Sequence, residues 1–303
     1  MNPRAHTLDR RTLLASGAAA FALAGLRAPE PPRKLKKAVM IGMCGDGATI
    51  LEKFEILRDA GFDGAELDSP SALKRDDVLA AMQKTGIAVH GLVDSVHWSV
   101  PLNSRDAGER KRAIDALNTA LEDGAAYGST SVLLVPCVVD QRRPYDEAWK
   151  LSQECIRACL PTAARCKVAI AIENVWNSFL LSPLEAARYV DEFESPWVRF
   201  HFDIGNVIHY GWPEQWIRIL GSRIAKLHVK DYSRELSDKH GKWKGFDADL
   251  LDGDAGWPEV MKALDEIGYT RAADVNWWTA ETAGGDRKRM KAIAEKMDRI
   301  LKL

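Results

Sequence analysis

The chain has 303 residues, of which 42 are Lys or Arg and 43 are Asp or Glu, and its formal net charge at pH 7 is -1. This balance excludes a strong overall field for nucleic acid or an anionic membrane, and it favours a small neutral or mildly charged ligand. Length alone allows one large α/β barrel or two smaller domains. The five cysteines are an odd number without a CxxC pair, which favours buried thiols over disulfides or a metal site.

The N-terminal segment has the pattern of an export signal. Arg10 and Arg11 precede an apolar stretch at 13–26 and a small-residue end, which is typical of twin-arginine signals. The stretch is too short for a membrane span, although an uncleaved anchor or a cytosolic tail stays open. We expect a signal at 1–28, a linker at 29–36 and a folded domain at 37–303. The protein would then be periplasmic, without stable membrane insertion once the signal is removed.

From residue 37 onward, strand-like apolar runs alternate with helical segments. The predicted strands are KAVMIGM (37–43), GAELD (64–68), IAVHGLVD (87–94), SVLLVPCV (131–138), VAIAIEN (168–174), VRFHFDIGN (198–206), RIAKLHVKD (223–231) and WWTAE (277–281). The predicted helices cover residues 50–60, 73–84, 107–127, 145–165, 182–193, 212–220, 257–267 and 286–301, with a long loop before 257. Eight such units, without GxGxxG or a Walker A loop, predict an α/β fold formed by a single (β/α)8 TIM barrel rather than a doubly wound sheet.

The last four predicted strands end in side chains that can bind a metal. These side chains are Glu173, Asp203, His228 and Glu281. The C-terminal ends of barrel strands carry the chemistry in such folds. Three carboxylates and one imidazole suit Mn²⁺, Mg²⁺ or Co²⁺, and Zn²⁺ is compatible. Taken singly, each side chain has a structural alternative, such as a turn cap for Asp203, a core histidine for His228 or a surface ion pair for Glu281.

Several motifs resemble the xylose-isomerase-like barrel family of sugar isomerases and epimerases. These motifs are IENVWNSFLLSP (172–183), HFDIGNVIHYGWPEQWI (201–217), KLHVKD (226–231), GDAGWPEV (253–260) and TAETAGGD (279–286). The resemblance implies one divalent metal held by the Glu of IEN, the Asp of FDIGN, the His of LHVKD and the Glu of TAE. One departure is RAADVN (271–276) before the last strand, where the family usually runs on almost directly. Either this is a short insertion before Glu281, which we favour, or Asp274 takes the ligand position.

By analogy with that family, the expected chemistry is proton movement next to a carbonyl through an enediolate. Glu173 and Glu281 would act as base and acid on opposite faces of the substrate. Return of the proton to the same carbon gives an epimerase, and return to the neighbouring carbon gives an aldose-ketose isomerase. Loss of a β-hydroxyl would instead give a lyase or dehydratase on a keto-sugar, keto-glycoside or inosose. A non-catalytic carbohydrate-binding barrel is a further alternative, and a homo-oligomer is open.

Side chains near the same strand ends are candidates for sugar contacts. They are His97, Trp98, Trp176, Asn177, Lys230 and Arg234. The tryptophans could stack on a sugar ring or pack in the core, and Lys230 could instead pair with Glu173 or Asp203. Glu66 and His90, on earlier strands, could line the floor of the pocket, but structural hydrogen bonds are the favoured expectation. His201 is expected to be a core histidine.

Overall fold

Eight parallel strands follow one another around a closed barrel in the computed structural model, which describes residues 33–271 and 276–303. The strands are β1 (Leu35–Met40), β2 (Gly64–Ser69), β3 (Ala88–Asp94), β4 (Ser131–Leu134), β5 (Ala169–Glu173), β6 (Val198–Asp203), β7 (Ile224–Val229) and β8 (Asn276–Ala280). Pairing of β8 with β1 closes the barrel, with Leu35 opposite Asn276. The predicted (β/α)8 TIM barrel is therefore confirmed. The predicted export signal and Asp274 lie outside the described residues.

Helices alternate with the strands along the chain. They are α1 (Ile50–Ala60), α2 (Arg75–Thr85), α3 (Ala107–Tyr127), α4 (Tyr145–Cys166), α5 (Pro183–Asp191), α6 (Gly205–Ile208), α7 (Pro213–Leu220), α8 (Arg234–His240), α9 (Trp257–Glu266) and α10 (Arg287–Leu301). Across residues 33–271 and 276–303, none of them combines the length and the apolar character that a bilayer span requires.

The ends of α1 show how local sequence sets a helix boundary. The Thr49 hydroxyl accepts a hydrogen bond from the Glu52 N–H, and the Glu52 carboxylate accepts one from the Thr49 N–H. This reciprocal pair satisfies backbone donors that the first helical turn leaves free. At the other end Gly61 adopts a φ of 93°, a left-handed conformation that favours glycine and stops the helix.

The prediction differs from the structure mainly at strand ends and before residue 257. The strands predicted at 131–138 and 198–206 end at Leu134 and Asp203, and Gly205–Ile208 is helical. The strand predicted at 37–43 ends at Met40, and Ile41–Met43 forms a 3-10 turn as the chain leaves the barrel. The segment before residue 257 is not a plain loop, because it contains α8 and a 3-10 helix at Lys242–Asp247. The Ser233 hydroxyl begins α8 by accepting a hydrogen bond from the Leu236 N–H, a short capping signal that the hydrophobic pattern does not reveal.

The inside of the barrel carries polar side chains toward its C-terminal end. Glu66 on β2 contacts His228 on β7, and these strands are not neighbours, so the contact crosses the interior. Lys226 on β7 likewise donates to the carbonyl oxygen of His90 on β3, at 3.0 Å. The alternate side chains pack outward against the helices. All five cysteines are free thiols and four of them are buried, as the odd cysteine count predicted.

Candidate active site

Four side chains from the last four strands meet at the C-terminal mouth of the barrel. Their donor atoms all lie within 4.8 Å of one another, and the residues are Glu173, Asp203, His228 and Glu281. The His228 Nδ1 atom lies 3.2 Å from Glu173 Oε1, 3.1 Å from Glu281 Oε2 and 3.9 Å from Asp203 Oδ2. The set therefore meets the geometric requirement of the sequence-based hypothesis, since all four can face a single ion.

Two asparagines fix the ends of β5 and β6 and so orient Asp203. The Asn174 side chain accepts from the Asp203 N–H and donates to the Asp203 carbonyl, both at 2.8 Å. The Asn206 N–H donates to Asp203 Oδ1 at 2.7 Å, and its side-chain amide donates to the Asn174 carbonyl. These bonds explain the asparagines of the IEN and FDIGN motifs. They occupy Oδ1 and turn Oδ2 toward the cluster.

Asp203 Oδ2 is the atom that best tests whether a metal fits. Asp203 is fully buried, and among the described residues its Oδ2 atom accepts no well-aligned hydrogen bond, although the Lys230 ammonium lies 2.8 Å away. A buried carboxylate oxygen without a hydrogen bond is costly unless a cation faces it. With three carboxylates and one imidazole around this atom, the donor set fits a divalent ion that prefers oxygen ligands.

Lys230 places a positive charge among the same carboxylates. Its Nζ atom lies 2.8 Å from Asp203 Oδ2 and 2.7 Å from Glu281 Oε2. The lysine stem runs against the backbone of Gly205, where an added Cβ would come within 2.3 Å of Lys230 Cγ. Glycine at this position is therefore required for the ammonium to reach the cluster.

Glu66 holds the far side of the His228 ring. Its Oε2 atom lies 2.7 Å from His228 Nε2, and both side chains are buried. In the tautomer with the proton on Nε2, the Nε2–H donates a hydrogen bond to Glu66 Oε2. The Nδ1 atom then keeps a lone pair that faces the other carboxylates. Carboxylate partners of this kind orient metal-binding histidines and raise their basicity. The sequence placed Glu66 among structural hydrogen bonds but did not identify its partner, which comes from across the barrel.

His201 lies below the cluster as a buried neighbour of His228. Their ring centroids are 4.1 Å apart, and neither His201 nitrogen has a hydrogen-bond partner within residues 33–271 and 276–303. Burial lowers the pKa of His201 well below its usual range, and the charges of His228 and His90 act in the same direction. The ring is thus neutral, as expected for a core histidine.

The electrostatics of the cluster separate its carboxyl groups. Burial raises the pKa of Asp203 to about 8, against the opposing charge of Lys230. Burial also raises the pKa of Glu173. Burial alone would raise the pKa of Glu281, but the charges of Lys230 and His228 outweigh it and hold that pKa well below its ordinary value. The pKa values of these three acidic groups are therefore shifted in different directions, as in sites that pair an acid with a base.

A pocket of about 370 Å³ opens outward from Lys230 and Glu281. Its lining residues are Trp98, Val175, Trp176, Asn206, Lys230, Asp231, Trp243, Phe246, Glu281, Thr282 and Ala283. Three of the six predicted sugar contacts are among them, namely Trp98, Trp176 and Lys230. The lining also includes Trp243 and Phe246 from the segment predicted as a plain loop, where the aromatic letters of KWKGF were the available signal.

The other three predicted sugar contacts are engaged elsewhere. The buried His97 ring accepts a hydrogen bond from the Val135 N–H through Nδ1. The Asn177 amide donates to the Cys137 carbonyl. The Arg234 guanidinium donates to the carbonyls of Ile208 and Gly211 and lies over the Trp212 ring. All three residues follow strands, as the prediction required. They hydrogen-bond to backbone groups of the loops instead of lining the pocket.

A larger cavity, of about 550 Å³, lies at the opposite end of the barrel. It is lined by residues at the starts of β5 to β8, including Ala169, Arg199 and Asn276, and it contains none of the four clustered donors. Since barrel enzymes react at the C-terminal mouth, size alone does not make this cavity the active site.

Comparisons with known proteins agree with the fold. The sequence profile of a family described as xylose isomerase-like TIM barrel matches residues 54–303. The L-ribulose-5-phosphate 3-epimerase UlaE of Escherichia coli is 24% identical over 260 residues, covering 82% of this chain and 87% of that protein. The crystal structure of 3-keto-D-glucoside 4-epimerase YcjR from Escherichia coli superposes with a TM-score of 0.72 at 17% identity, covering 89% of this chain and 100% of that one. D-psicose 3-epimerase from Clostridium cellulolyticum H10, solved with D-tagatose, gives a TM-score of 0.69 at 17% identity, covering 88% and 97%.

Proposed function

The chain belongs to the xylose isomerase-like TIM barrel family, and from that premise we propose that it is a metal-dependent sugar isomerase or epimerase. The reaction we propose moves a proton on a carbon next to a substrate carbonyl, through an enediolate. The relatives named above are sugar epimerases by their names, which supports a ketose or keto-sugar as substrate. The single observation that carries the proposal is the convergence of four donor side chains at the mouth of the barrel.

The residues that would hold the metal are the four clustered donors. Glu173, Asp203 and Glu281 would supply oxygen ligands, and His228 would supply Nδ1. When bound, a divalent ion such as Mn²⁺, Mg²⁺ or Co²⁺ supplies Lewis acidity that polarises a carbonyl and its neighbouring hydroxyl. Glu66 would keep the His228 ring in the orientation that presents Nδ1.

Glu173 and Glu281 would move the proton in this proposal. Glu173 ends β5 and Glu281 follows β8, so they approach from nearly opposite sides of the eight-stranded barrel. One carboxylate would take the proton from the carbon next to the carbonyl, and the other would hold a proton to deliver to the opposite face. Lys230 would keep Glu281 ionised through its 2.7 Å contact. The pocket walls would position the sugar between them.

The test is substitution of Glu173 by Gln in the Mn²⁺-loaded protein. We expect solvent deuterium uptake by a ketose substrate to fall by about 10²- to 10⁴-fold, because general acid-base catalysis contributes that much. Retained manganese content and an unchanged melting temperature would separate loss of proton transfer from loss of the metal or the fold. The control is Glu154→Gln, an exposed carboxylate on α4.

Undiminished uptake in Glu173→Gln would remove this residue from the mechanism. Mass analysis of the product in the same experiment distinguishes the reactions that this site could perform. Deuterium uptake without loss of mass identifies an epimerase or isomerase, whereas loss of water to an unsaturated product identifies a lyase or dehydratase.

We also propose that residues 1–28 export the protein through the twin-arginine route. The support is the Arg10 and Arg11 pair followed by the apolar stretch. The Arg10→Lys, Arg11→Lys double variant is expected to accumulate in the cytoplasmic fraction, while the native protein reaches the periplasm. Equal periplasmic yield of both would contradict export by this route.

A further inference from the structure

The pocket outside the donor cluster has the composition of a site for an uncharged ring. Trp176 is its centre, with ring centroids 4.7 Å from Trp243 and 5.0 Å from Phe246. The Trp176 indole N–H donates to the Asn206 carbonyl at 2.8 Å, so the plane of the ring is fixed rather than free to turn. A fixed aromatic surface beside the reacting groups can pack against the apolar face of a sugar ring.

Two further tryptophans at the pocket mouth stay exposed to solvent. Trp98 is 51% exposed and Trp243 is 63% exposed, and both line the pocket. When a ligand covers exposed aromatic side chains, their apolar surface is removed from water, and this contributes favourably to the free energy of binding. The pocket volume of about 370 Å³ lies within the range of small-molecule binding sites, and its aromatic mouth continues the surface outward from the reacting groups.

The charges around this pocket do not favour a phosphate group. Among the described residues that line it, Lys230 is the only basic one, and its ammonium already contacts Asp203 and Glu281. Asp231 and Glu281 contribute two carboxylates to the same lining. Even with a divalent ion among the donors, the four carboxylates of Glu173, Asp203, Glu281 and Asp231 would outnumber the three positive charges of the ion and Lys230. A phosphate dianion would therefore find no free basic side chain in the described lining to pair with its oxygens.

Lys242 lies beside the pocket and is the lysine that could form an ion pair with the phosphate of a phosphorylated sugar. Its ammonium lies 5.4 Å from the Trp176 ring and 5.3 Å from the Trp243 ring, and the side chain is exposed. It does not line the pocket. This arrangement places the charge outside the aromatic surface, where water screens it.

Resting on the proposed function, we propose that the substrate is an uncharged keto-glycoside. Its keto-sugar ring would lie at the four donors, and its second ring or aglycone would lie on the aromatic mouth formed by Trp98, Trp176, Trp243 and Phe246. The proton exchange itself is unchanged, since the second ring takes no part in bond making or breaking. This substrate differs from the sugar phosphate named for the Escherichia coli relative UlaE.

The experiment compares three probes with the full-length Mn²⁺-loaded protein: phenyl 3-keto-glucoside, D-tagatose and D-tagatose 6-phosphate. We expect kcat/KM for deuterium exchange to be highest for the glycoside. In Trp243→Ala, the ratio of glycoside to free ketose kcat/KM is expected to fall about tenfold or more, the contribution of one stacked aromatic ring with its buried area. The matched control is Trp212→Ala, which removes a tryptophan of similar exposure, 56%, that does not line the pocket and should keep the ratio.

The outcomes separate this inference from the proposed function. A preference for D-tagatose 6-phosphate, lowered by Lys242→Met, would overturn the keto-glycoside and leave a sugar epimerase or isomerase standing. Equal activity on glycoside and free ketose, or an unchanged ratio in Trp243→Ala, would also overturn it. Absence of exchange with all three probes would overturn the inference together with the proposed function.

Discussion

Lys230 is predicted to hold the metal-free site together. Its ammonium contacts two carboxylates, and one of them, Asp203, is fully buried. The Lys230→Met variant keeps the length of the side chain and its packing against Gly205 but removes the charge. Asp203 and Glu281 would then lose the ammonium that contacts both of them, and the His228 ring would remain as the positive group beside them.

The expected cost follows from the burial of this ion pair. Removing one partner of a buried pair costs about 3 to 5 kcal/mol, because the other charge stays in a poorly solvated place. In a chain of this size, 1 kcal/mol changes the melting temperature by roughly 2 °C, so the metal-free variant should melt roughly 6 to 10 °C lower. Burial raises the folded-state pKa of Asp203 to about 8 even though the charge of Lys230 lowers it, so the pKa of Asp203 in the variant lies higher still. The neutral form of Asp203 is favoured at low pH, so the difference in stability between the native protein and the variant should widen as the pH rises from 7 to 9, and the measurement belongs at both values.

Differential scanning fluorimetry with EDTA, and then with Mn²⁺, gives the required comparison. A bound divalent ion supplies the missing charge, so Mn²⁺ should raise the melting temperature of Lys230→Met more than that of the native protein. Lys244→Met is the control, because its 2.9 Å pair with Asp247 is exposed and exposed pairs contribute little to stability. An EDTA-treated Lys230→Met protein as stable as the native one would refute the reasoning.

Three further predictions concern the metal and the mouth of the barrel. Glu66→Gln should weaken Mn²⁺ binding about 10- to 100-fold, because the His228 ring loses the carboxylate that orients it. The measurement is a Mn²⁺ titration followed by electron paramagnetic resonance, and unchanged affinity would count against the orienting role. Asp203, with a pKa of about 8, must lose its proton before it can bind a metal. The Mn²⁺ affinity should therefore rise about tenfold per pH unit up to that value and then level off. A dissociation constant that does not depend on pH would contradict this. Asp231→Asn should lower the free energy of unfolding in urea by about 1 to 3 kcal/mol. The reason is that an amide donor replaces one of the carboxylate oxygens, which accept hydrogen bonds from the Ala255 N–H and the Trp257 indole. An unchanged urea midpoint would show that these bonds do not stabilise the loop.

The barrel and the donor set could be predicted because both depend on features that repeat along the chain. Strand-like runs alternating with helices are visible without tertiary information, and a polar residue at the end of each late strand faces the mouth wherever the barrel closes. Glu173 and Glu281 are 108 positions apart in numbering, yet both positions follow from this rule.

The rest of the site depends on contacts between distant parts of the chain. Glu66 was assigned a structural hydrogen bond, but its pairing with His228 requires two strands on different sides of the barrel to face inward at the same height. Arg234 follows β7 as an active-site residue would, yet the carbonyls of Ile208 and Gly211 capture its guanidinium. Trp243 lies in a 3-10 helix that follows α8, and the sequence signal for α8 is a single serine cap, which is too short to distinguish from other polar residues.

The asparagine pair at the ends of β5 and β6 has a consequence for how this scaffold can change. Asn174 and Asn206 bond to each other's strand and to Asp203, so the donor geometry is secured before the chain enters the loops that follow. Grafting those downstream loops from another family member should thus transplant a new substrate preference onto an unaltered reaction centre. In protein engineering, the loops around the entrance could then be exchanged while the donor side chains keep their positions.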